Sequence, residues 1–240
     1  MGKNVLIIGA SGDIGQAVVT QLGREGHQLM LHYYQNKHFL DKGRTGLDEE
    51  AVLLTIQADL SKTEGISHLL RQLVFPVDAV VFAGGRAHYG LFQNTDETLM
   101  DAMLTLHVKT PWIITKNLLP SMIQQKQGRI ILITSIWGEA GAGDEVIYSS
   151  VKGAQNSFVK ALDKETAPSG IAVNAVSPGF IDTKMNASLL SEEKEEIIKD
   201  IPARRAGTPD DVAQMVRFLM REKSDYVHGE IINISGGWHL

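Results

Sequence analysis

The chain has no cysteine among its 240 residues. That excludes disulfides, a cysteine nucleophile and thiolate metal sites. No apolar stretch approaches the roughly 18 residues that a membrane-spanning helix needs. No run of five basic residues occurs, and the net charge of −5 gives no reason to expect nucleic acid or an anionic membrane as partner. Met1 to Gly9 hold only a short apolar run with no signal-peptide cleavage pattern. Leu6 stands where a myristoylation motif on Gly2 requires Ser or Thr. His27, His32, His38, His68, His88, His228 and His239 show no metal-ligand spacing. The expectation is a soluble cytoplasmic chain without metal.

The composition, 43% hydrophobic and 21% charged, suits a globular protein with a large core. Short apolar runs at Val5–Ile8, Gln28–His32, Val52–Gln57, Ala79–Phe82, Arg129–Thr134, Ala172–Val176 and Glu230–Ile234 read as strands. They are unbroken rather than alternating, as strands buried on both faces are. Helical periodicity fills Asp13–Arg24, Thr63–Leu73, Glu97–Gln125, Tyr148–Thr166 and Pro209–Met220. This order predicts an α/β fold: one domain over residues 1–240, with a doubly wound parallel sheet of about seven strands and helices on both faces.

Two stretches are less regular. Tyr33–Glu50 carries Gly43 and Gly46, which predicts a short or frayed second crossover helix. Residues 184–205 are polar and end a short helix near Pro202. They read either as a solvated surface helix or as a flap over the substrate side of a ligand site.

The first strand runs straight into Gly9-Ala10-Ser11-Gly12-Asp13-Ile14-Gly15 and then a helix. Glycines there permit a tight turn, close approach to a pyrophosphate, and tight helix–strand packing. The free N–H groups and positive end of the helix dipole face the phosphates. Farther along, Tyr148 and Lys152 stand four residues apart, one above the other on a helix, with Ser135 thirteen residues before Tyr148. A neighbouring ammonium is expected to lower the tyrosine pKa toward working pH and make it a proton donor to a ketone.

The Gly-x-x-Gly-x-x-Gly loop and the Ser135…Tyr148-x-x-x-Lys152 set together resemble the short-chain dehydrogenase/reductase superfamily, from Val5 to the C-terminus. The resemblance implies a Rossmann fold that uses NAD or NADP without metal. It implies that Gly9, Ser11, Gly12, Asp13, Ile14 and Gly15 contact the dinucleotide, with Tyr33 at the end of the second strand. Asp59 would bond the adenine, with Leu60 beside it; Asp59 reads equally well as the cap of the next helix. Ala83 and Gly84 would offer backbone contacts. Pro178 and Gly179 would wall the nicotinamide, the Ile181 backbone would hold its carboxamide, and Thr183 would reach the diphosphate. Ser135 would anchor the substrate carbonyl, Tyr148 act as general acid, and Lys152 bind the ribose while tuning Tyr148. The strand end Tyr33-Tyr34-Gln35-Asn36-Lys37 has no carboxylate, which favours NADP(H). Asp13, standing where many NADP members carry Arg, keeps NAD(H) open.

Two departures matter. The family's Asn-Asn-Ala-Gly is here Phe82-Ala83-Gly84-Gly85, and the asparagine of its catalytic tetrad aligns with His107. His107 reads either as a core histidine or as the asparagine's replacement in a proton chain to Lys152. The chain resembles 3-oxoacyl-[acyl-carrier-protein] reductases, which implies NADPH-dependent reduction of a small-molecule or carrier-bound ketone to a secondary alcohol. Ser135-Ile136-Trp137-Gly138 and Asp144-Glu145-Val146 are also similar to a branch acting on the 5-aminopentanone group of elongation factor P. Glu139, Asp144 and Glu145 would suit an amine-bearing ketone. From another class, an NAD(P)-sensing binding protein with weak catalysis is compatible with the two departures, and the intact Ser135, Tyr148 and Lys152 oppose it. Asp48-Glu49-Glu50 and Glu192–Glu196 read as solvated faces. Trp112, Trp137 and Trp238 read as core or interface residues, with Trp137 also placed to line the substrate pocket. The resemblance further implies a homotetramer built on Glu97–Gln125 and Tyr148–Thr166, with Trp238 near a second interface. If His107 serves the proton chain, His107→Ala lowers kcat well before it lowers the melting temperature. Parallel loss of both would mark a core histidine.

Overall fold

The strands that were read from apolar runs pair into one sheet in the computed structural model, which describes residues 2–38, 40, 47–187 and 189–238. They are β1 (Asn4–Ile8), β2 (Gln28–Tyr33), β3 (Val52–Gln57), β4 (Ala79–Phe82), β5 (Gly128–Ile133), β6 (Ile171–Pro178) and β7 (Ile231–Ile234). Among the described residues all pair in parallel, in the order β3-β2-β1-β4-β5-β6-β7. The chain winds one way from β1 to β3, then restarts at β4 on the other side of β1. That switch opens a crevice beyond the carboxyl ends of β1 and β4, where open α/β sheets bind ligands. The expected second crossover helix falls within Tyr33–Glu50, where residues 37, 38 and 40 are helical and residues 39 and 41–46 lie outside the described residues.

The unbroken apolar strands have the burial they predict. Val5 and Ile7 of β1 face one core, with α1 (Asp13–Arg24) and a helix at Pro209–Leu219. Leu6 and Ile8 face the other, with α2 (Thr63–Gln72) and the longer helices of the second face. Side chains two apart share a face and neighbours oppose, so both cores draw on every strand.

The segment Glu97–Gln125 is not the single helix its periodicity predicts. It divides into α3 (Glu97–Leu104) and α4 (Thr110–Gln125) around a π turn at Thr105–Lys109. Pro111 supplies the reason. It has no N–H to give the His107 carbonyl four residues back, so the regular ladder fails there. The Thr110 amide reaches Thr105 O instead, and Gln155 Nε2 donates to His107 O at 2.8 Å. A short helix that the sequence did not reveal, α5 (Trp137–Ala140), follows β5 and leads to the long α6 (Val146–Thr166). A polar α7 (Ser191–Asp200) lies within residues 184–205, and α8 (Pro209–Leu219) starts at a capping box. There Thr208 Oγ1 accepts from Asp211 N, and Thr208 N donates to Asp211 Oδ2.

Trp112 is 48% exposed on α4, 6.4 Å from the Phe158 ring, so it is no part of the core within one chain. Trp137 and Trp238 stack edge to face at 5.3 Å.

Asp163 ties α6 to the sheet. Its buried Oδ1 accepts from Val173 N at 2.9 Å and lies 2.9 Å from His228 Nδ1. Asp163→Ala strands the buried Val173 amide and should cost about 1–3 kcal/mol in urea unfolding. Asp163→Asn keeps an acceptor there and should cost less.

Candidate active site

Strand β5 ends at Ile133, and Ser135 follows two residues on, 6% exposed. Its Oγ accepts from the Trp137 amide at 3.3 Å, which fixes the start of α5. Gly138 lets α5 lie against α6: a Cβ there would sit 2.7 Å from the Lys152 carbonyl carbon. This contact brings Ser135 to the face of α6 that carries Tyr148 and Lys152. The Tyr148 hydroxyl lies near enough to the Ser135 side chain to feel it. Lys152, one turn later, is buried and donates from Nζ to Ile133 O at 2.8 Å, with its ammonium 5.6 Å from the Tyr148 ring centroid. Sequence reasoning named these three residues, and the fold brings them together.

The expected electrostatics do not hold. Burial pushes the Tyr148 phenol up to about 12, the neighbouring Ser135 hydroxyl opposes that, and the Glu145 charge adds to it. The residue as a whole is only part-buried, but its hydroxyl end is enclosed by protein. Lys152 does not bring the phenol down, and burial depresses Lys152 itself to about 7. At neutral pH it is charged only part of the time, and its proton is directed at the Ile133 carbonyl.

His107 sits in the π turn with its ring at 90° to that of Tyr148 and 6.0 Å away. Its Nε2 lies 3.0 Å from Arg86 O and 3.2 Å from Arg86 N, while Nδ1 is buried with no partner among the described residues. Burial first, then the Lys152 charge, lower its pKa to about 3, so the ring is neutral at working pH.

The glycine turn stands at the mouth of the switch crevice. Gly9 has φ +79°, and a Cβ on it would fall 2.3 Å from Gly84 Cα. Gly15 passes just as close to the Gly9 carbonyl, whereas a Cβ on Gly12 would meet nothing nearer than 3.4 Å. Gly12 therefore leaves an open face above the start of α1, the room a pyrophosphate needs. Ser11 is held through its carbonyl by Gln16 Nε2 at 2.9 Å, and Ile14 packs against the first core. The Ala83 amide bonds Ile8 O at 2.9 Å and carries the β1–β4 seam up to Gly84.

On the adenine side, a cavity of about 420 Å³ is lined by Tyr34, Ala58 and Asp59. Asp59 Oδ1 accepts both the amide and the hydroxyl of Ser61, and Leu60 turns into the second core. The Tyr33 side chain does not face this cavity. It joins the first core, 7% exposed, with its hydroxyl toward Gln57, and its neighbour Tyr34 lines the cleft. Alternation along β2 decides this, since adjacent residues take opposite faces.

On the nicotinamide side, Pro178 O accepts from Ile136 N, and Gly179 passes within 3.0 Å of Ser235 when a Cβ is built on it. Ile181 is buried and bridges Gly207. A second cavity of about 450 Å³ lies against Asp13, Thr183 and Lys184. These features fit a dinucleotide: a phosphate cradle opened by Gly9, Gly12 and Gly15, a carboxylate at one end, and a Pro-Gly wall at the other.

A family model described as enoyl-(acyl carrier protein) reductase, of the short-chain dehydrogenase type, matches residues 9–239. The chain belongs to the short-chain dehydrogenase/reductase family. An uncharacterized oxidoreductase, YmfI, of Bacillus subtilis (strain 168) is 45% identical over 243 residues, covering 100% of both chains. A 3-oxoacyl-[acyl-carrier-protein] reductase, FabG, of Staphylococcus epidermidis is 30% identical over 247 residues, with the same full coverage. A crystal structure from Beutenbergia cavernae, a candidate NAD(P)-dependent gluconate 5-dehydrogenase with bound NADP, superimposes with a TM-score of 0.92. It is 27% identical and is matched over 99% of this chain and 96% of that one. This short-chain dehydrogenase/reductase is an oxidoreductase with the family's NAD(P)-binding fold.

Some residues of the site escaped sequence reasoning. Gln155, which takes up the His107 carbonyl, was signalled only by Pro111 four residues after His107. Tyr34 was masked by the choice of Tyr33. Glu145 is half-buried, and burial raises its carboxyl, so it acts on Tyr148 from inside the protein. The Lys152 shift has a stability consequence. Its pKa is about 7 folded against 10.5 normally, so between those values the unfolded chain binds more protons there. Lys152 therefore makes stability rise with pH across that window. Tyr148, held up at about 12, acts in the opposite sense only above pH 10. Urea unfolding at about pH 7.5 and about pH 9.5 should show the rise in the wild type and a flatter response in Lys152→Met. Equal slopes would contradict the buried, partly neutral lysine.

Proposed function

We propose that this enzyme is an NADPH-dependent reductase of a ketone to a secondary alcohol. One observation carries the reading: the Ser135 and Tyr148 side chains come together beyond the carboxyl end of β5, with Lys152 a single helical turn away and bonded to Ile133 O. Two hydroxyl donors converging on one point suit a carbonyl oxygen that gains negative charge and then a proton. NADPH, when bound, supplies the hydride. Ser135 would hold the carbonyl oxygen and Tyr148 would deliver the proton to it, while Lys152 would bind the ribose hydroxyls and its ammonium would return a proton toward the resulting tyrosinate. A phenol held at about 12 stays protonated until it donates, which favours reduction.

His107 takes the place of the family's asparagine in the proton path to Lys152. Its neutral ring and unpartnered buried Nδ1 support a hydrogen-bonding relay rather than an acid. NADPH is favoured over NADH because Tyr34, Gln35, Asn36 and Lys37 are exposed at the end of β2 without a carboxylate. Asp13, the contrary sign in the sequence, accepts from Lys184 N at 2.7 Å and so faces residues 184–205. That bond supports the reading of this segment as a flap on the substrate side.

The full-length likeness to a 3-oxoacyl-[acyl-carrier-protein] reductase supports an acyl-carrier ketone as substrate. A second reading, reduction of the 5-aminopentanone group on elongation factor P, is favoured by the Glu145 carboxyl acting on Tyr148 and by Asp144 within 3.4 Å of the Tyr89 hydroxyl. Comparing both substrates with NADPH decides between them. A cytoplasmic homotetramer is proposed, with the exposed Trp112 and its neighbour Phe158 on the α4 and α6 faces. Tyr148→Phe should lower kcat by about 10²–10⁴-fold while leaving NADPH affinity within a few-fold. A wild type that binds NADPH tightly but turns over no ketone would instead favour the nucleotide-sensing reading.

A further inference from the structure

β1 and β2 pair in register only as far as Ile7 and Leu31. Gly9, at φ +79°, has already turned out of the ladder, so no strand carbonyl stands in line to take its amide. His32 of β2 meets that need. The Gly9 amide donates to His32 Nδ1 at 3.1 Å, and His32 Nε2 lies 3.0 Å from Ala58 O. The carbonyl of the same residue accepts the Ala10 amide at 2.8 Å. One residue thus holds two successive amides of the glycine turn and the carbonyl just before Asp59.

We infer that His32 is a positioning residue for the dinucleotide, setting the distance between the phosphate turn and the adenine-side loop. This rests on the NADPH reading above. The strand order makes it possible, because β2 lies between β1 and β3 and a side chain on it can reach both neighbours. Imidazole suits the place because it carries an acceptor on one edge and a donor on the other. Only the tautomer with its proton on Nε2 satisfies both contacts. The ring is 5% exposed, and burial lowers its pKa to about 4, which keeps the acceptor edge free of a proton at working pH. Neither contact involves the Ser135, Tyr148 and Lys152 cluster, so the residue acts on binding and not on the chemical step.

The test compares wild type, His32→Leu, which offers neither contact, and His32→Asn, which keeps a short acceptor and donor. NADPH affinity is measured by nicotinamide fluorescence, kcat at saturating NADPH, and hydrogen exchange of the Gly9 and Ala10 amides without cofactor. In His32→Leu, Kd should rise about 10-fold or more while kcat at saturation holds within about 3-fold. The Gly9 amide should exchange faster, and His32→Asn should recover part of both losses. A fall in melting temperature with unchanged Kd overturns the inference and leaves His32 a core residue. So does unchanged Gly9 exchange, a readout that needs no cofactor. A wild type without affinity for NADPH overturns the NADPH reading itself, and is told apart because it appears before any variant is made. If His32→Leu does not fold, His32→Asn and His32→Gln carry the comparison, and equal Kd in both and wild type overturns it.

Discussion

The approach of Gly9 to Gly84 governs the architecture of the site. These residues lie just beyond the ends of β1 and β4, the two strands between which the winding of the sheet reverses, and a single added methyl on Gly9 would collide with the opposite backbone. The seam must close tightly for both cores to stay continuous beneath it. It must also open immediately above, because the chain leaves β1 toward α1 on one face and returns to β4 from the other. The crevice is therefore a consequence of strand order, and the glycine turn is what lets the strands meet there without steric cost.

The Ser135, Tyr148 and Lys152 cluster is assembled on the far side of the same crevice by packing rather than by sequence proximity. Gly138 permits α5 to touch α6, and that contact aligns Ser135 with Tyr148. Burial then sets the protonation states. Lys152 is drawn down to about 7, Tyr148 is held up at about 12, and His107 is kept neutral. The centre avoids isolated buried charge, as a low-dielectric interior demands. Among the described residues, the carboxylate that acts on the phenol is Glu145, half-buried at the start of α6.

Much of this could be read from the chain. Strands buried on both faces announce themselves as unbroken apolar runs, and β1 to β7 were found within a few residues of their ends. The strand–glycine–helix junction at Gly9–Gly15 and the order Ser135, Tyr148, Lys152 were equally plain. The break at Thr105–Lys109 was not read, although Pro111 marks it, because the periodicity of Glu97–Gln125 hides the one missing amide. Tyr33 was preferred to Tyr34 because a strand's facing depends on where its pairing ends, and that register belongs to the sheet. His32 passed as an ordinary histidine, since neither Gly9 nor Ala58 is near it in sequence.

The amino-acid order by itself determined the fold class, the strand–glycine–helix junction at Gly9–Gly15 and the four-residue step from Tyr148 to Lys152. Those follow from local periodicity and from spacing along one helix or one turn, whereas the roles expected of Ser135, Tyr148 and Lys152 rest on the family resemblance. Tertiary structure alone decided the electrostatic state of the pair that the spacing picks out. On a solvated helix, Lys152 would remain a full cation and draw the Tyr148 phenol down. Folded, it is buried against the Ile133 carbonyl and surrenders much of its charge, because desolvation in the core outweighs any attraction across one helical turn.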